Sequence, residues 1–221
     1  MINVLLDFYT IDEPWIYSEL KSVISPEMKV ALIPFSFRDE YVNDDESWQM
    51  LYGKGKGKIY SAIARAFEAY GISAESISVI NYFTDTKSVA EEKIKNADIV
   101  FFTGGLPDRM AERIKEFGIY DALMSFDGIV MGYSAGALVQ MKEYHLSPDE
   151  DYPEFKYSEG LPYLSGFYLE VHFGGSEAQV SAINRVVEER RLPVYATRFG
   201  KGALIVSDGK IKTVGEVQKF Y

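Results

Sequence analysis

The sequence predicts an α/β protein built on a doubly wound, mostly parallel sheet with helices on both faces. Strand-like and helix-like segments alternate along almost the whole chain, which is the pattern of repeated β–α units. One segment, Asp98–Thr103, is continuously apolar, as strands buried on both faces of a parallel sheet are. The pentapeptide Gly-Tyr-Ser-Ala-Gly at Gly132–Gly136 directly follows the apolar run Gly128–Met131. This arrangement is typical of a nucleophile elbow, a tight turn between a strand and a helix.

Apolar periodicity defines the elements in the first half of the chain. The segment Ile59–Tyr70 carries apolar residues at helical spacing on one face, and Gly71 is suited to end that helix. A second helix is predicted from about Ser88 to Lys95. The stretch Ser36–Gly53 lacks periodicity and is predicted to be irregular. The β-rich apolar runs predict strands at Ile2–Phe8, Lys29–Phe35, Ile77–Phe83 and Asp98–Thr103.

Turn residues mark the elements in the second half. Gly104-Gly105 ends a predicted strand, and Pro107 suits the first turn of the helix that follows. Pro193 terminates an amphipathic helix predicted at Ser176–Arg191. The longest irregular stretch, His145–Leu164, is long enough to be a functional loop. The remaining predicted strands are Ile129–Met131, Phe167–Val171, and the terminal β-hairpin of Ala203–Val206 and Ile211–Val214.

Composition excludes several classes of protein. The formal net charge of −10 argues against a nucleic-acid partner, because such a surface needs clustered cations. No apolar segment approaches the roughly 18–20 residues that span a bilayer, and the first residues lack the pattern of a signal peptide. The chain contains no cysteine, so it has no disulfide, thiolate nucleophile or zinc–sulfur site. We expect one cytoplasmic α/β domain, residues 1–221, without a membrane partner.

Two polar side chains are predicted to meet at one edge of the sheet. In doubly wound sheets the active site lies beyond the carboxyl ends of the strands. Ser134 stands at the elbow, and His172, one of two histidines, follows the predicted strand Phe167–Val171. A serine nucleophile needs a base, so we expect an imidazole nitrogen about 2.6–3.2 Å from the Ser134 hydroxyl. Gly104-Gly105 reaches the same edge and offers N–H groups for an oxyanion hole. His145 is expected to be structural.

The residues themselves leave open which acid orients His172. Glu170 lies two residues before it on the same predicted strand, so both side chains should point to one face of the sheet. An acidic cluster in a chain of this charge is also typical of a solvated surface. Five further acids lie in the irregular stretch and could fold over the site: Asp149, Glu150, Asp151, Glu154 and Glu159.

Three stretches, in this order, resemble the peptidase E family, which contains aspartyl dipeptidases and has cyanophycinase as a relative. The stretches are Phe101–Gly105, Gly132–Ala137 and the strand-end His172. The resemblance implies a fold similar to class I glutamine amidotransferases and a serine peptidase that cleaves small peptides after an N-terminal aspartate. The chain differs from peptidase E after Gly105, where Leu106-Pro107-Asp108 follow, and this difference bears on the substrate pocket.

The resemblance also implies a role for each candidate. Ser134 would match the nucleophile and His172 the base, while the N–H groups of Gly105 and Ala135 would form the oxyanion hole. In peptidase E an aspartate 15 residues after the nucleophile supports the histidine, and Asp149 has that spacing. Other members use a glutamate. The candidate acids therefore rank in the order Asp149, Glu150, Asp151 and Glu170.

Three functions fit the sequence. The first is a serine peptidase that uses a Ser-His-acid triad and an acyl-enzyme on a small peptide. The second is a non-catalytic binding or regulatory module that keeps the fold and the elbow without turnover. The third is an amidase or esterase that uses the same triad on a non-peptide substrate. The absence of cysteine excludes the glutaminase chemistry of true amidotransferases.

The sequence also limits cofactors and partners. Two histidines and no recognisable ligand cluster predict a site without a metal and without another cofactor. The expected partner is a small peptide substrate, and a homodimer is compatible with the sequence. Recognition of an aspartate side chain needs a cation, for which the candidates are Arg109, Arg113, Arg185 and Arg198.

Overall fold

Ten strands and eight helices follow one another in the computed structural model, which describes residues 1–221. The strands are β1 (Ile2–Leu6), β2 (Val30–Ile33), β3 (Ile77–Val79), β4 (Ile99–Phe102), β5 (Ile129–Tyr133), β6 (Glu143–Leu146), β7 (Lys156–Glu159), β8 (Tyr168–Glu170), β9 (Val194–Ser207) and β10 (Lys210–Phe220). The helices are α1 (Pro14–Leu20), α2 (Asp45–Tyr52), α3 (Lys58–Glu68), α4 (Lys87–Lys95), α5 (Pro107–Phe117), α6 (Tyr120–Met124), α7 (Ala135–Leu138) and α8 (Glu177–Arg190).

Eight strands form one mixed sheet, and β6 and β7 form a separate antiparallel pair. The strand order is β10-β9-β1-β5-β4-β2-β3, and β8 lies beside the first residues of β9. The five strands from β1 to β3 in this order all run parallel, whereas β9 is antiparallel to both β1 and β10. The predicted α/β fold with a mostly parallel sheet and a terminal hairpin is confirmed.

The two faces of the sheet pack against different helices. Alternate side chains of β4 point opposite ways, so Phe101 belongs to a buried cluster of 27 residues and Phe102 to another of 16. The larger cluster includes residues of α1, α2 and α3, and the second includes residues of α4, α5 and α6. All four residues of β4 are therefore buried, which explains the uninterrupted apolar run in the sequence.

The predicted helix signals operate in the structure. α3 buries the expected apolar face, including Ile63 and Phe67, and Gly71 beyond its end has φ +83°, which glycine adopts without strain. α8 begins after Ser176, whose side chain accepts a hydrogen bond from the N–H of Gln179. None of the helices combines the length and the apolar character needed to cross a bilayer.

Three regions differ from the prediction. The strands of the terminal hairpin, β9 and β10, are longer than expected because their pairing continues past a bulge. The stretch predicted to be irregular at Ser36–Gly53 contains α2, whose start is fixed by a capping box between Asp44 and Ser47. The stretch His145–Leu164 contains β7 and the second half of β6, so much of this segment is a hairpin rather than a free loop.

Candidate active site

Ser134 lies in a strained turn between β5 and α7. Its backbone has φ +52° and ψ −117°, a combination that residues other than glycine rarely adopt. The turn is so tight that a Cβ at Gly132 would overlap the carbonyl oxygen of Gly136. A Cβ at Gly136 would in turn overlap the carbonyl oxygen of Phe102 in β4. Close backbone approach therefore requires both outer glycines of the pentapeptide, as expected of a nucleophile elbow.

His172 contacts Ser134 directly. Its Nε2 lies 2.8 Å from Oγ of Ser134, within the range expected from the sequence. The histidine follows β8 and has φ +55°. Gln179 of α8 holds this turn, because its Nε2 donates to the carbonyl oxygen of His172 and its Oε1 accepts from the N–H of Gly174. The backbone of His172 is therefore held in place by Gln179, and its ring Nε2 contacts the hydroxyl of Ser134.

β8 brings His172 to the site by approaching β1 end-on. β1 pairs with residues 203–207 of β9, and β8 pairs with residues 194–196 of the same strand. β8 runs parallel to β9 and β1 runs antiparallel to it, so the carboxyl ends of β8 and β1 face each other. His172 and the first residue after β1 are therefore neighbours, although β8 does not run parallel to the central strands.

That first residue, Asp7, is the acid on the imidazole. Its Oδ2 lies 3.1 Å from Nδ1 of His172, and its Oδ1 accepts from the backbone N–H of the same histidine at 2.6 Å. The hydroxyl of Thr197 donates to Oδ1 at 3.0 Å, and the N–H of Gly200 donates to Oδ2 at 2.7 Å. The carboxylate is completely buried, so these donors replace the water that a charge needs. The carboxylate of Asp7 in turn places the imidazole proton on Nδ1 and leaves Nε2 facing the serine.

The expectation that Asp149 contacts the imidazole is not met. Its carboxylate accepts from the N–H groups of Asp151 and Tyr152, both at 2.8 Å, and so closes the turn between β6 and β7. The hairpin holds this carboxylate against its own backbone, and the spacing of 15 residues carries no information about the ring. The other candidate acids do not contact the ring either: Glu170 bonds to His145, Asp151 pairs with Arg38, and Glu150, Glu154 and Glu159 make no hydrogen bond with it.

Asp7 was missed by the sequence reasoning, although a signal for it exists. It is the first residue after the apolar strand Ile2–Leu6, and the carboxyl end of a buried strand reaches the active edge of the sheet. The carboxylate that meets the ring is 165 residues away in sequence.

Gly105 and Ala135 line the cleft beside Ser134, and each has a free backbone N–H group. The N–H of Gly105 donates to no acceptor within the protein. Ala135 is the first residue of α7, where no intrahelical acceptor is available. Gly105 has φ +141°, and a Cβ there would overlap the carbonyl oxygen of Ser36, so only glycine fits. Both N–H groups are thus available to a negatively charged oxygen formed at Ser134.

A cleft of about 510 Å³ opens beside Ser134. Arg38 is the only arginine or lysine among its lining residues, and it forms an ion pair with Asp151. No group of three or more His, Asp or Glu side chains is placed to hold a metal ion. The four arginines considered for an aspartate side chain all lie elsewhere: Arg109 and Arg113 pair with Asp39, Arg185 with Glu189, and Arg198 with Glu216.

Asp108 anchors one wall of the cleft to the first turn of α5. The hydroxyl of Tyr152 donates to its Oδ1 at 2.6 Å, and Nζ of Lys156 donates to its Oδ2 at 2.8 Å. Burial alone would raise the pKa of Asp108, but the hydrogen bonds from Lys156 and Tyr152 outweigh burial and lower that pKa. The segment that carries Tyr152 is therefore held by a carboxylate that stays charged well into acid.

Aromatic rings form the rim on the other side of the imidazole. The ring of Phe199 lies 5.1 Å from that of His172 between centroids, although 60% of Phe199 is exposed. Phe8 packs against Phe199 and Tyr133 at 5.5 and 5.9 Å. Burial raises the pKa of Tyr133. The site therefore has a polar wall on the side of the β6–β7 hairpin and an apolar rim beyond His172.

Comparison with solved structures identifies proteins of similar fold. A candidate peptidase E from Listeria monocytogenes EGD-e has a TM-score of 0.68 and 15% identity, with 97% of this chain and 98% of that chain covered. A peptidase from an acI-B1 Actinobacterium has a TM-score of 0.64 and 16% identity, with coverage of 99% and 93%. At these identities the likeness shows the fold alone. No curated protein sequence matches the chain significantly.

Comparison with family models is more specific. The model of peptidase family S51 matches residues 53–214. This range includes Ser134 and His172, whereas Asp7 lies outside it. The match spans more than half of the chain and agrees with the resemblance seen in the sequence motifs. The chain therefore belongs to peptidase family S51, a family of serine-type peptidases.

Proposed function

We propose that this serine peptidase is an exopeptidase that cleaves small peptides through an acyl-enzyme, with Ser134 as nucleophile and His172 as base. One observation carries the proposal, namely the line of hydrogen bonds from Oγ of Ser134 through both imidazole nitrogens to Asp7. Its two distances are 2.8 and 3.1 Å. Asp7 acts through His172, since it fixes the ring and stabilises the imidazolium that forms during proton transfer.

In the acylation step, Oγ of Ser134 attacks the carbonyl carbon of the substrate while Nε2 of His172 takes the hydroxyl proton. The carbonyl oxygen becomes negatively charged and accepts hydrogen bonds from the N–H groups of Gly105 and Ala135. The imidazolium then gives its proton to the leaving amine as the C–N bond breaks. The products are an ester on Ser134 and the released amine.

In the deacylation step, a water molecule replaces the amine beside His172. Nε2 takes a proton from this water, and the oxygen attacks the ester carbon through a second oxyanion held by the same N–H groups. Collapse breaks the bond to Oγ, and the imidazolium returns the proton to Ser134. The acid product leaves and the hydrogen-bonded line is restored.

The size and charge of the cleft support a small peptide as substrate. Its volume of about 510 Å³ is in the range of sites for small ligands. The N-terminal aspartate implied by the resemblance to peptidase E would place its carboxylate at Arg38, the cation of the cleft. The guanidinium would then exchange its present partner, Asp151, for the substrate and would stay paired.

A phosphonate probe and a set of dipeptides test this function together. An alkyl fluorophosphonate should modify Ser134 of the parent, as located by peptide mass spectrometry, and should leave Ser134→Ala unmodified. Hydrolysis of Asp-Leu in preference to Asn-Leu would support an acidic first residue. Modification without hydrolysis of any dipeptide, but with hydrolysis of esters, would favour the amidase or esterase function. No modification of the parent would favour a binding module.

A further inference from the structure

Glu170 is a buried carboxylate of the cleft that the proposed chemistry does not use. It is the last residue of β8, it is only 5% exposed, and it lines the same cleft as Ser134. One oxygen, Oε2, accepts from Nε2 of His145 and from the hydroxyl of Ser147, both at 2.8 Å. The other oxygen, Oε1, makes no hydrogen bond and is not fully enclosed by protein. Because Glu170 lines the cleft, this free oxygen is the one that a ligand in the cleft could pair with.

No lysine or arginine of the protein pairs with this carboxylate. Nδ1 of His145 is buried without a partner, so a proton there would be an unsatisfied donor. A proton on Nε2, in contrast, is accepted by Oε2 of Glu170. The only lysine or arginine of the cleft, Arg38, pairs with Asp151. Glu170 is therefore left with two hydrogen-bond partners on one oxygen and none on the other.

A buried charge of this kind is stabilised by a cation that reaches its free oxygen. We infer that Oε1 of Glu170 binds the α-ammonium group of the first residue of the peptide, and so limits cleavage to the bond after that residue. The inference rests on the proposed peptidase function and names the group that makes it an exopeptidase. An ammonium group offers three donors and a full charge, which Oε1 can accept in a charge-assisted hydrogen bond.

A blocked amine would lose this contact and would also leave the carboxylate unpaired. Sites built to hydrogen-bond a substrate group reject analogues that lack it for this reason. Asp149, another carboxylate of the cleft, is already engaged by two backbone N–H groups at 2.8 Å. Its charge is satisfied within the hairpin, which makes Asp149→Asn a matched control for a loss of charge in the same cleft.

The test compares two covalent probes that differ only at the amine. The diphenyl ester of 1-aminoethylphosphonate carries a free amine on the carbon next to phosphorus, and its N-acetyl derivative does not. In both, Oγ of Ser134 forms a bond to phosphorus, phenoxide leaves, and the hydroxyl proton goes through His172 to give phenol. The ratio of the two modification rates is measured within each variant, so a partly unfolded sample affects both rates equally.

The parent and Asp149→Asn should react with the free-amine probe at least tenfold faster than with the acetylated probe, as expected for a hydrogen bond between charged groups. In Glu170→Gln this ratio should fall to about one. An equal ratio in the parent and in Glu170→Gln would overturn the inference. If the ratio falls equally in Asp149→Asn, the preference for the free-amine probe comes from the general charge of the cleft. That result would also overturn the inference.

A binding measurement separates this inference from the proposed function. Alanine amide and N-acetylalanine amide are titrated into Ser134→Ala and into Ser134→Ala with Glu170→Gln, so that no chemistry is required. Only the free amine should bind Ser134→Ala, and the second substitution should weaken that binding at least tenfold. If the alkyl fluorophosphonate fails to modify the parent but this difference is seen, the peptidase proposal falls and the amine contact stands. If the alkyl fluorophosphonate modifies the parent but the two amides show no such difference in binding, the amine contact is wrong and the peptidase proposal stands.

Discussion

Asp7 holds His172 at two points, once through the ring and once through the main chain. Oδ2 lies 3.1 Å from the ring Nδ1, while Oδ1 accepts the backbone N–H at 2.6 Å. His172 has φ +55°, a backbone conformation that costs free energy in any residue other than glycine. One buried carboxylate therefore fixes both the position of the residue and the direction of its imidazole.

Strain at the elbow predicts an unusual order of stability. Ser134 has φ +52°, which costs about 1–3 kcal/mol for a residue with a Cβ, whereas glycine loses only about 0.5–1 kcal/mol of chain entropy. Ser134→Gly should therefore have a free energy of unfolding about 1 kcal/mol higher than Ser134→Ala. Urea denaturation of the two variants measures this difference. If the alanine variant is as stable as the glycine variant, the turn is not strained.

The proposed oxyanion hole depends on a glycine at position 105. Gly105→Ala would drive a Cβ into the carbonyl oxygen of Ser36 and shift the N–H that faces the cleft. The rate of modification by the alkyl fluorophosphonate should fall by about a hundredfold, the typical effect of losing one oxyanion donor.

A matched control separates this effect from backbone strain in general. Gly55 also has a positive φ, +78°, but a Cβ there would meet nothing within 4 Å. Gly55→Ala should therefore lose some stability and keep the parental rate of modification. If Gly105→Ala reacts as fast as Gly55→Ala, the N–H of residue 105 does not stabilise the oxyanion.

The anchoring of Tyr152 and Lys156 by Asp108 predicts a pH-dependent contribution to stability. The pKa of Asp108 is lowered in the folded protein, so the folded state holds its proton less tightly than the unfolded state. Its contribution is therefore complete above the ordinary value of 3.8 and is lost as the pH falls below it. Asp108→Asn should cost about 1–2 kcal/mol at neutral pH, and this cost should shrink as the pH falls below 3.8.

Urea denaturation between pH 7 and 3 measures that difference. Asp127→Asn serves as the control, because Asp127 is exposed and its side chain makes no hydrogen bond or ion pair within the protein. The free energy of unfolding of Asp127→Asn should stay close to that of the parent at every pH between 7 and 3. A difference for Asp108→Asn that does not shrink in acid would show that the carboxylate contributes through packing rather than charge.

Ser134 and Gly105 could be predicted because their signals are local. An elbow requires glycines around the nucleophile, and an apolar strand followed by two glycines marks the neighbouring turn. His172 was also predicted to reach the serine, on the assumption that its strand runs parallel to the others. The strand instead meets β1 end-on, and this orientation depends on its pairing with β9, which no local pattern reveals.

The acid could not be predicted from residues near His172. Glu170 and His172 were expected on one face as alternate residues of a strand, but β8 ends at Glu170 and the positive φ at His172 turns its side chain elsewhere. Asp149 was chosen by a spacing taken from relatives, and the hairpin uses its carboxylate to close a turn. Both errors arise because an acid partner is selected by tertiary contact and not by distance along the chain.

The central claim is that Asp7, and no acid of the β6–β7 hairpin, orients His172. The most direct test is the rate at which the alkyl fluorophosphonate modifies Ser134 in Asp7→Asn and in Asp149→Asn, each below the onset of its own unfolding. Loss of the carboxylate at Nδ1 leaves the imidazole in the wrong tautomer, so Asp7→Asn should react at least a hundredfold more slowly than the parent. Asp149→Asn should react at the parental rate. A slow Asp149→Asn beside a fast Asp7→Asn would contradict the account.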